Sequence, residues 1–529
     1  MSGKRPVWAM AMATAMVGSL ISAPVASAQK ESSATWKPCP KAAATAPDAV
    51  CTTFQVPQDY RNPAGKKIKL TMSKIPATGQ SKGVIAGNPG GPGGDALGMF
   101  AGNVGSDPFA KKRVTLPKDV REHYDQIAVE PRGLTFGEPL TCGLDGPAGL
   151  AAPVLSPGNI RDLCNMNHPG LVDSITTANT ARDLDEARKV LGQDKLNLYG
   201  VSYGGLLMAT YATMFPSHTG KTLLDSPNSQ KNQWLRLEKA RGPQRRDSLE
   251  AMFQWIADRD DVYHLGKTPL QVYKRWSDRI NQQTGVPAQI TPPDMELGDL
   301  PAGLRSEGKR VLPVVNKQLP AMWRLYSGWK TLEKLRPEAT TASPLFSYTL
   351  FTGLYDENEW DSVAIFIRDG KPKEDPQTSG AQKKLRKDLK KDKKALRDLA
   401  YQSLTMGTVE MAIACNENRN RINPRLVAPY LVNKYTGGDV MKNLAPRMSS
   451  GQLCAGWPLP KPSVTLSSKH LQTKPLLVGY NHDSAVTRNG MRDMHAVMGG
   501  EMVELDGHKH GVLVHDTDKV ADKVSAYFA

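Results

Sequence analysis

The sequence predicts an α/β protein, a mostly parallel central sheet with helices on both faces, interrupted by a large, mainly helical cap insertion. Three observations predict it. From Trp36 to about Pro227, strand-like runs alternate with turns and amphipathic segments, the pattern of a parallel sheet covered on both sides. From 229 to 455 the chain is rich in Arg, Lys, Trp and Gln, with helical periodicity and few strand-like runs. Strand character then returns, so the C-terminal part completes the sheet.

Residues 1–28 read as a signal peptide. Lys4 and Arg5 form a positive n-region, an apolar stretch runs from Val7 to Ile21, and Ala26-Ser27-Ala28 gives the small-x-small cleavage pattern. That stretch is shorter than the ~20 residues that cross a bilayer. The expected divisions are then 29–228 for the first part of the core, 229–455 for the cap and 456–529 for the second part of the core. Within the first part, strands are expected at 67–73, 83–86, 124–129, 196–199 and 221–224, with helices over 180–191 and 206–214. Gly192 is the C-cap of the first helix. The last strands fall at 475–479 and 501–505.

Six cysteines, Cys39, Cys51, Cys142, Cys164, Cys415 and Cys454, form an even set in a chain read as exported, which favours disulfides. Sequence proximity favours Cys39–Cys51, Cys142–Cys164 and Cys415–Cys454, although loop-closure entropy discriminates weakly. No pair has C-x-x-C spacing, and neither a metal nor a cofactor is implied. The formal net charge is +16, two of it from Lys4 and Arg5. No nucleic-acid motif accompanies this charge. Its densest run, Lys383 to Arg397, reads as a solvated helix face, with attraction to an anionic cell envelope as the alternative. The oligomeric state is not fixed by the sequence.

The chemistry gathers at Gly200-Val201-Ser202-Tyr203-Gly204, between a strand and an apolar helix. There G-x-S-x-G makes a nucleophile elbow, in which small residues permit the strained turn that lifts the hydroxyl clear. Gly87-Asn88-Pro89-Gly90-Gly91-Pro92-Gly93-Gly94 follows another strand and lacks the G-K-[ST] of a phosphate loop. It suits an oxyanion hole, with an N–H of Gly90 or Gly91 pairing with that of Tyr203. In this order of elements the acid and then the base come late. Asp483 follows the strand at 475–479, while His508 and His510 follow the one at 501–505. Asp506 competes for the acid but lies too near the histidines in sequence to face them easily.

These motifs resemble those of the secreted tripeptidyl aminopeptidases of actinobacteria, relatives of the proline iminopeptidases and serine peptidases of the α/β-hydrolase fold. The resemblance rests on Asn88 to Gly94, Pro131-Arg132-Gly133, Asp183 to Gly192, Tyr199 to Gly205, Leu223 to Ser226, Ala412 to Cys415 and Cys454 to Pro458. It selects His510 over His508 and implies the triad Ser202, Asp483 and His510. It implies a peptide substrate whose free amine meets acidic cap residues, for which Glu417 and Glu410 are the candidates. Glu130, the segment after Asp483 and Asp225-Ser226-Pro227 depart from the family pattern. The leading expectation is an exported exopeptidase releasing short peptides from free N-termini. The alternatives are a carboxylesterase or lipid-ester hydrolase of the envelope, and a binding protein built on a dead hydrolase.

Overall fold

A computed structural model describes residues 34–40, 46–102, 114–143, 156–230, 235–373, 393–418, 422–458, 460 and 462–529. The expected signal peptide lies outside these residues, as do the side chains of the basic run 383–397, except that the backbone from 393 is helical.

Nine strands make one sheet. They are β1 (Lys37–Pro38), β2 (Val50–Pro57), β3 (Lys67–Ile75), β4 (Val84–Asn88), β5 (Asp125–Val129), β6 (Leu196–Val201), β7 (Thr219–Asp225), β8 (Leu476–Tyr480) and β9 (Glu501–Leu505). Their order is β1-β2-β3-β5-β4-β6-β7-β8-β9. From β5 to β9 every neighbouring pair is parallel, and β1 to β3 add an antiparallel edge. Strands β4 and β8 are buried along their whole length, so their apolar runs show no alternation.

Helices α1 (Thr177–Val190) and α2 (Tyr203–Met214) flank β6. Thr176 caps α1 through the Asn179 N–H, and Gly192 takes φ +67° just after its end, the role expected of it. Between β7 and β8 the described chain holds no named strand. It forms α3 (Leu235–Ala257), α4 (Pro269–Thr284), α5 (Gly308–Lys334), α6 (Trp360–Asp369), α7 (Lys393–Glu417), α8 (Pro424–Tyr435) and shorter turns. The chain leaves β7 beside the C-terminal end of β6 and, because β7 and β8 are parallel neighbours, returns to the opposite end of the strands to enter β8. Two apolar clusters cover the two faces of the sheet, and a third, around the fully buried Trp276 of α4, belongs to the insertion.

The cysteines pair as Cys39–Cys51, Cys142–Cys164 and Cys415–Cys454. The last joins the C-terminal end of α7 to the turn at 452–454. Among the described residues no helix is long and apolar enough to cross a membrane.

Candidate active site

Ser202 stands between β6 and α2 with φ 60° and ψ −127°, a backbone that a residue with a Cβ adopts only when its surroundings enforce it. Asp225 C=O accepts the Ser202 N–H at 3.0 Å, and Ser202 C=O accepts the N–H of Asn228 at 3.0 Å. The flanking glycines are required by contact. A Cβ on Gly200 would lie 2.3 Å from Gly204 O, and one on Gly204 2.1 Å from Asn88 O. No side chain fits there, so the turn can be this tight only with glycine.

The loop after β9 brings His510 to Asp483. Nδ1 of His510 and Oδ2 of Asp483 are 2.8 Å apart, and both side chains are almost fully buried. The other oxygen of Asp483 accepts the N–H groups of Ala485 and Val486 at 2.7 and 3.1 Å, which fixes the carboxylate's orientation. The histidine is held just as firmly. Its N–H donates to Tyr355 O at 3.0 Å, and its ring stands edge-on to the Tyr355 ring at 5.2 Å. Beyond it, Val512 and Leu513 donate their N–H groups to the two oxygens of Asp225 at 2.7 and 2.9 Å, and Tyr199 OH adds a third bond at 3.0 Å. Burial pushes the Asp225 carboxyl up, against the pull of those donors. Asp225 thus ties the histidine loop to the strand that supports the nucleophile.

His508 and Asp506 are not part of this pair. His508 stacks on His482 at 4.6 Å and faces Ser248 Oγ at 3.1 Å. Burial, and then His482, holds it below the ordinary histidine range. Asp506 is exposed and accepts a bond from Asn481 Nδ2 at 2.7 Å.

The glycine loop after β4 abuts the elbow. Gly90 takes φ +93°, and a Cβ there would lie 2.5 Å from Val201 O and 3.0 Å from Tyr203 N. Its N–H donates to Asn88 Oδ1 at 2.9 Å. Gly90 is therefore corrected from donor to spacer: its hydrogen is already engaged, and what it supplies is the missing side chain. Among the described residues the N–H groups of Gly91 and Tyr203 have no acceptor. Glu130, fully buried, accepts the Ala96 N–H at 2.9 Å and braces the end of this loop. Burial and the neighbouring Asp95 push its carboxyl well up. The Pro-Arg-Gly motif is structural too: Arg132 forks onto Asp183 at 2.6 and 2.8 Å and donates to Pro57 O and Gln58 O.

The two cap carboxylates differ. Glu417 accepts the Thr177 N–H at 2.5 Å and the Thr177 hydroxyl at 3.1 Å. That hydroxyl also meets Tyr203 OH at 2.6 Å. Glu417 therefore caps the first turn of α1 while lining a cleft of about 570 Å³ with Tyr60, Leu206, Thr210 and Gln230. Burial pushes it up to about 7. Glu410 sits one turn beyond Met406, whose carbonyl would lie 2.6 Å from a Cβ on Gly93 of the glycine loop. Its side chain is exposed, although protein surrounds it closely enough for burial to raise its carboxyl, opposed by Arg241. Among the described residues no cation lies at ion-pair distance from it, and the nearby Arg241 is engaged by Glu238. Glu410 faces a part of the site that the sequence did not flag, the helix face Glu238, Arg241 and Arg245 of α3. Arg241 forks between Glu238 Oε1 at 2.5 Å and Ala485 O at 2.7 Å. Burial, then Arg241, holds Arg245 down, and its buried Nε has no partner. The i, i+3, i+7 spacing was visible in the sequence, but solvated helix faces carry it as well.

An elbow serine, a buried Asp–His pair and a glycine loop on a sheet of this order define an α/β-hydrolase. The chain has that fold, and its sequence is similar to tripeptidyl aminopeptidases over part of its length. Residues 87–281 match the family described as alpha/beta hydrolase fold, and residues 442–529 the one described as TAP-like protein. Over 247 residues it is 33% identical to the tripeptidyl aminopeptidase of Streptomyces coelicolor, covering 43% of this chain and 44% of that one. The match thus spans less than half of that relative's length. Serine protease Hip1 of Mycobacterium tuberculosis is 25% identical over 522 residues, 90% of this chain and 85% of that protein. Carboxylesterase B of the same organism is 31% identical over 157 residues, 27% of this chain and 29% of its own.

Proposed function

We propose that the chain is an exported serine exopeptidase that releases short, tripeptide-type fragments from free N-termini through an acyl-enzyme. The observation that carries the reading is the 2.8 Å Asp483–His510 bond beside a serine held at φ 60°. In this scheme Ser202 Oγ attacks the scissile carbonyl and passes its proton to Nε2 of His510, the ring nitrogen not bonded to Asp483. His510 then protonates the leaving amine, and water repeats the sequence to release the acyl group. Asp483 holds the tautomer and stabilises the imidazolium. The N–H groups of Gly91 and Tyr203 receive the developing oxyanion, a contribution worth ~3 kcal/mol per donor.

Residues 229–455 act as the cap, and its Glu410 receives the substrate's ammonium. This carboxylate is accessible, enclosed and unpaired, whereas both oxygens of Glu417 already hold Thr177. Three disulfides support an exported location.

Ser202→Ala should lower hydrolysis of a tripeptide anilide at least ~10⁴-fold with the thermal unfolding profile unchanged; retained turnover would remove Ser202 from the scheme. The Carboxylesterase B match favours a second reading, ester hydrolysis by the same residues. Acetylating the substrate's N-terminus separates the two, since it should stop peptide cleavage and leave short acyl esters untouched.

A further inference from the structure

Helix α5 of the cap is built with its faces reversed. The side turned to the protein carries Arg324, Ser327, Gly328 and Thr331. Arg324 Nη1 donates to Thr436 O at 2.6 Å, Ser327 Oγ donates to Gly437 O at 3.1 Å, and a Cβ on Gly328 would lie 2.8 Å from Thr436 O. Polar and small residues therefore make the packed face. The opposite face presents Met322, Leu325, Tyr326, Trp329 and Leu332, with Leu325 76% and Trp329 68% exposed. Steps of three and four residues keep these five on one stripe, about 15 Å long at 1.5 Å per residue. The neighbouring α8 adds exposed Val432 and Tyr435. An exposed apolar stripe of this kind marks an interaction site.

The charges around the stripe indicate the partner. Lys317 and Arg336 are exposed near its two ends, and α8, which carries no acidic residue, contributes exposed Arg425 and also Lys434, the latter 3.6 Å from Glu338. The acid on the stripe's edge, Glu333, is neutralised by Lys330 at 2.8 Å and Lys334 at 3.1 Å. Lys317, Lys330, Lys334, Arg336, Arg425 and Lys434 outnumber Glu333 and Glu338 here, so a second copy would set a net positive rim against itself. An apolar stripe with Trp and Tyr, rimmed by Lys and Arg, has the composition of a helix that lies in the plane of an anionic bilayer surface.

We infer that α5, with α8 beside it, docks the protein on an anionic phospholipid surface, the stripe entering the headgroup boundary and the basic rim meeting lipid phosphates. The inference does not depend on which bond the active site cleaves.

Co-sedimentation of the full chain with phosphatidylcholine vesicles, with and without phosphatidylglycerol, tests it. Binding is expected to the anionic vesicles, falling as salt rises, and several-fold less to phosphatidylcholine alone. Leu325→Glu combined with Trp329→Glu should weaken binding roughly tenfold or more. Hydrolysis of a small soluble substrate should stay unchanged, because both side chains face solvent. Lys317→Ala with Arg425→Ala should reduce the preference for anionic lipid, and both side chains are exposed. Absence of vesicle binding by the unaltered chain overturns the inference. So does a dimer in sedimentation velocity that the Leu325→Glu, Trp329→Glu variant dissolves, which would assign the stripe to a second copy.

Discussion

Arg132 in the core and Arg245 in the cap are both enclosed by protein, yet only the first has its donors met. Arg132 donates to both oxygens of Asp183, to two carbonyls and to Ser174 Oγ, while the Nε of Arg245 finds nothing. The same contrast runs through the carboxylates: Asp225 accepts three bonds at the foot of the site, and Glu410 above it has no ion-pair partner. Apolar residues follow suit, packed on both faces of the sheet below and turned outward along α5 above. Ions with complete partners hold a geometry, and a group left incomplete in an enclosed place is one that a ligand can complete. On the function proposed above, the core would carry the reaction and the cap would receive what the reaction acts on.

Matched substitutions sharpen the contrast. Arg132→Met strands Asp183 in a buried site and should cost about 3–5 kcal/mol of stability in denaturant unfolding. Arg245→Met removes a cation without orphaning an ion-pair partner and should change stability by less than ~1 kcal/mol. Equal losses would erase the distinction. Glu417 gives a pH-dependent version. With its carboxyl pushed to about 7 from an ordinary 4.5, the folded chain keeps a proton that the unfolded chain gives up. Its contribution therefore declines as pH rises from about 4.5 to 7 and stays low above that. Glu417→Gln should flatten that slope and gain up to about 3 kcal/mol at pH 8, read from unfolding midpoints across pH. Glu410→Gln should raise KM for peptides with a free N-terminus about 10- to 100-fold, and leave ester hydrolysis within twofold; a parallel loss on esters would detach it from amine recognition. The smallest effect is expected from His508→Ala, less than ~10-fold in kcat/KM, because that ring faces Ser248 and His482 rather than Asp483.

What was legible in the sequence follows the same division. The strands from β3 onward, the elbow and the Asp483–His510 pair could all be read, because strained turns and buried strands admit few residue types. The edge strands β1 and β2 escaped notice: β1 has only two residues, and Pro57 and the following polar segment obscure the end of β2. Gly90 and Gly91 are equivalent candidate donors in the sequence, because spacing cannot show that Asn88 Oδ1 already holds the N–H of Gly90. Glu417 and Glu410 looked alike on one helix, and only their surroundings separate them, one at the first turn of α1 and the other open to the site. The Glu238, Arg241, Arg245 face was written plainly, but helical spacing of charges has many uses and nothing local marks which way it points.

The Cys415–Cys454 bridge has a mechanical consequence. Asn416, next to it, donates to Val172 O and Ile175 O at 2.9 and 2.8 Å and accepts from Trp457 Nε1 at 2.9 Å, so this end of α7 is bolted to the core. Glu410 lies five residues from the bolt, about 7.5 Å along the helix. Val409, Ala412 and Ile413 also pack in the core, with Leu404 and Met406 against it, so only the helix beyond that packing is a lever, and displacement grows with distance from its fulcrum. Should the cap swing, the far end of α7 would sweep widely while Glu410 kept almost the same height above the elbow, as a ruler's lowest mark does when the ruler pivots at zero.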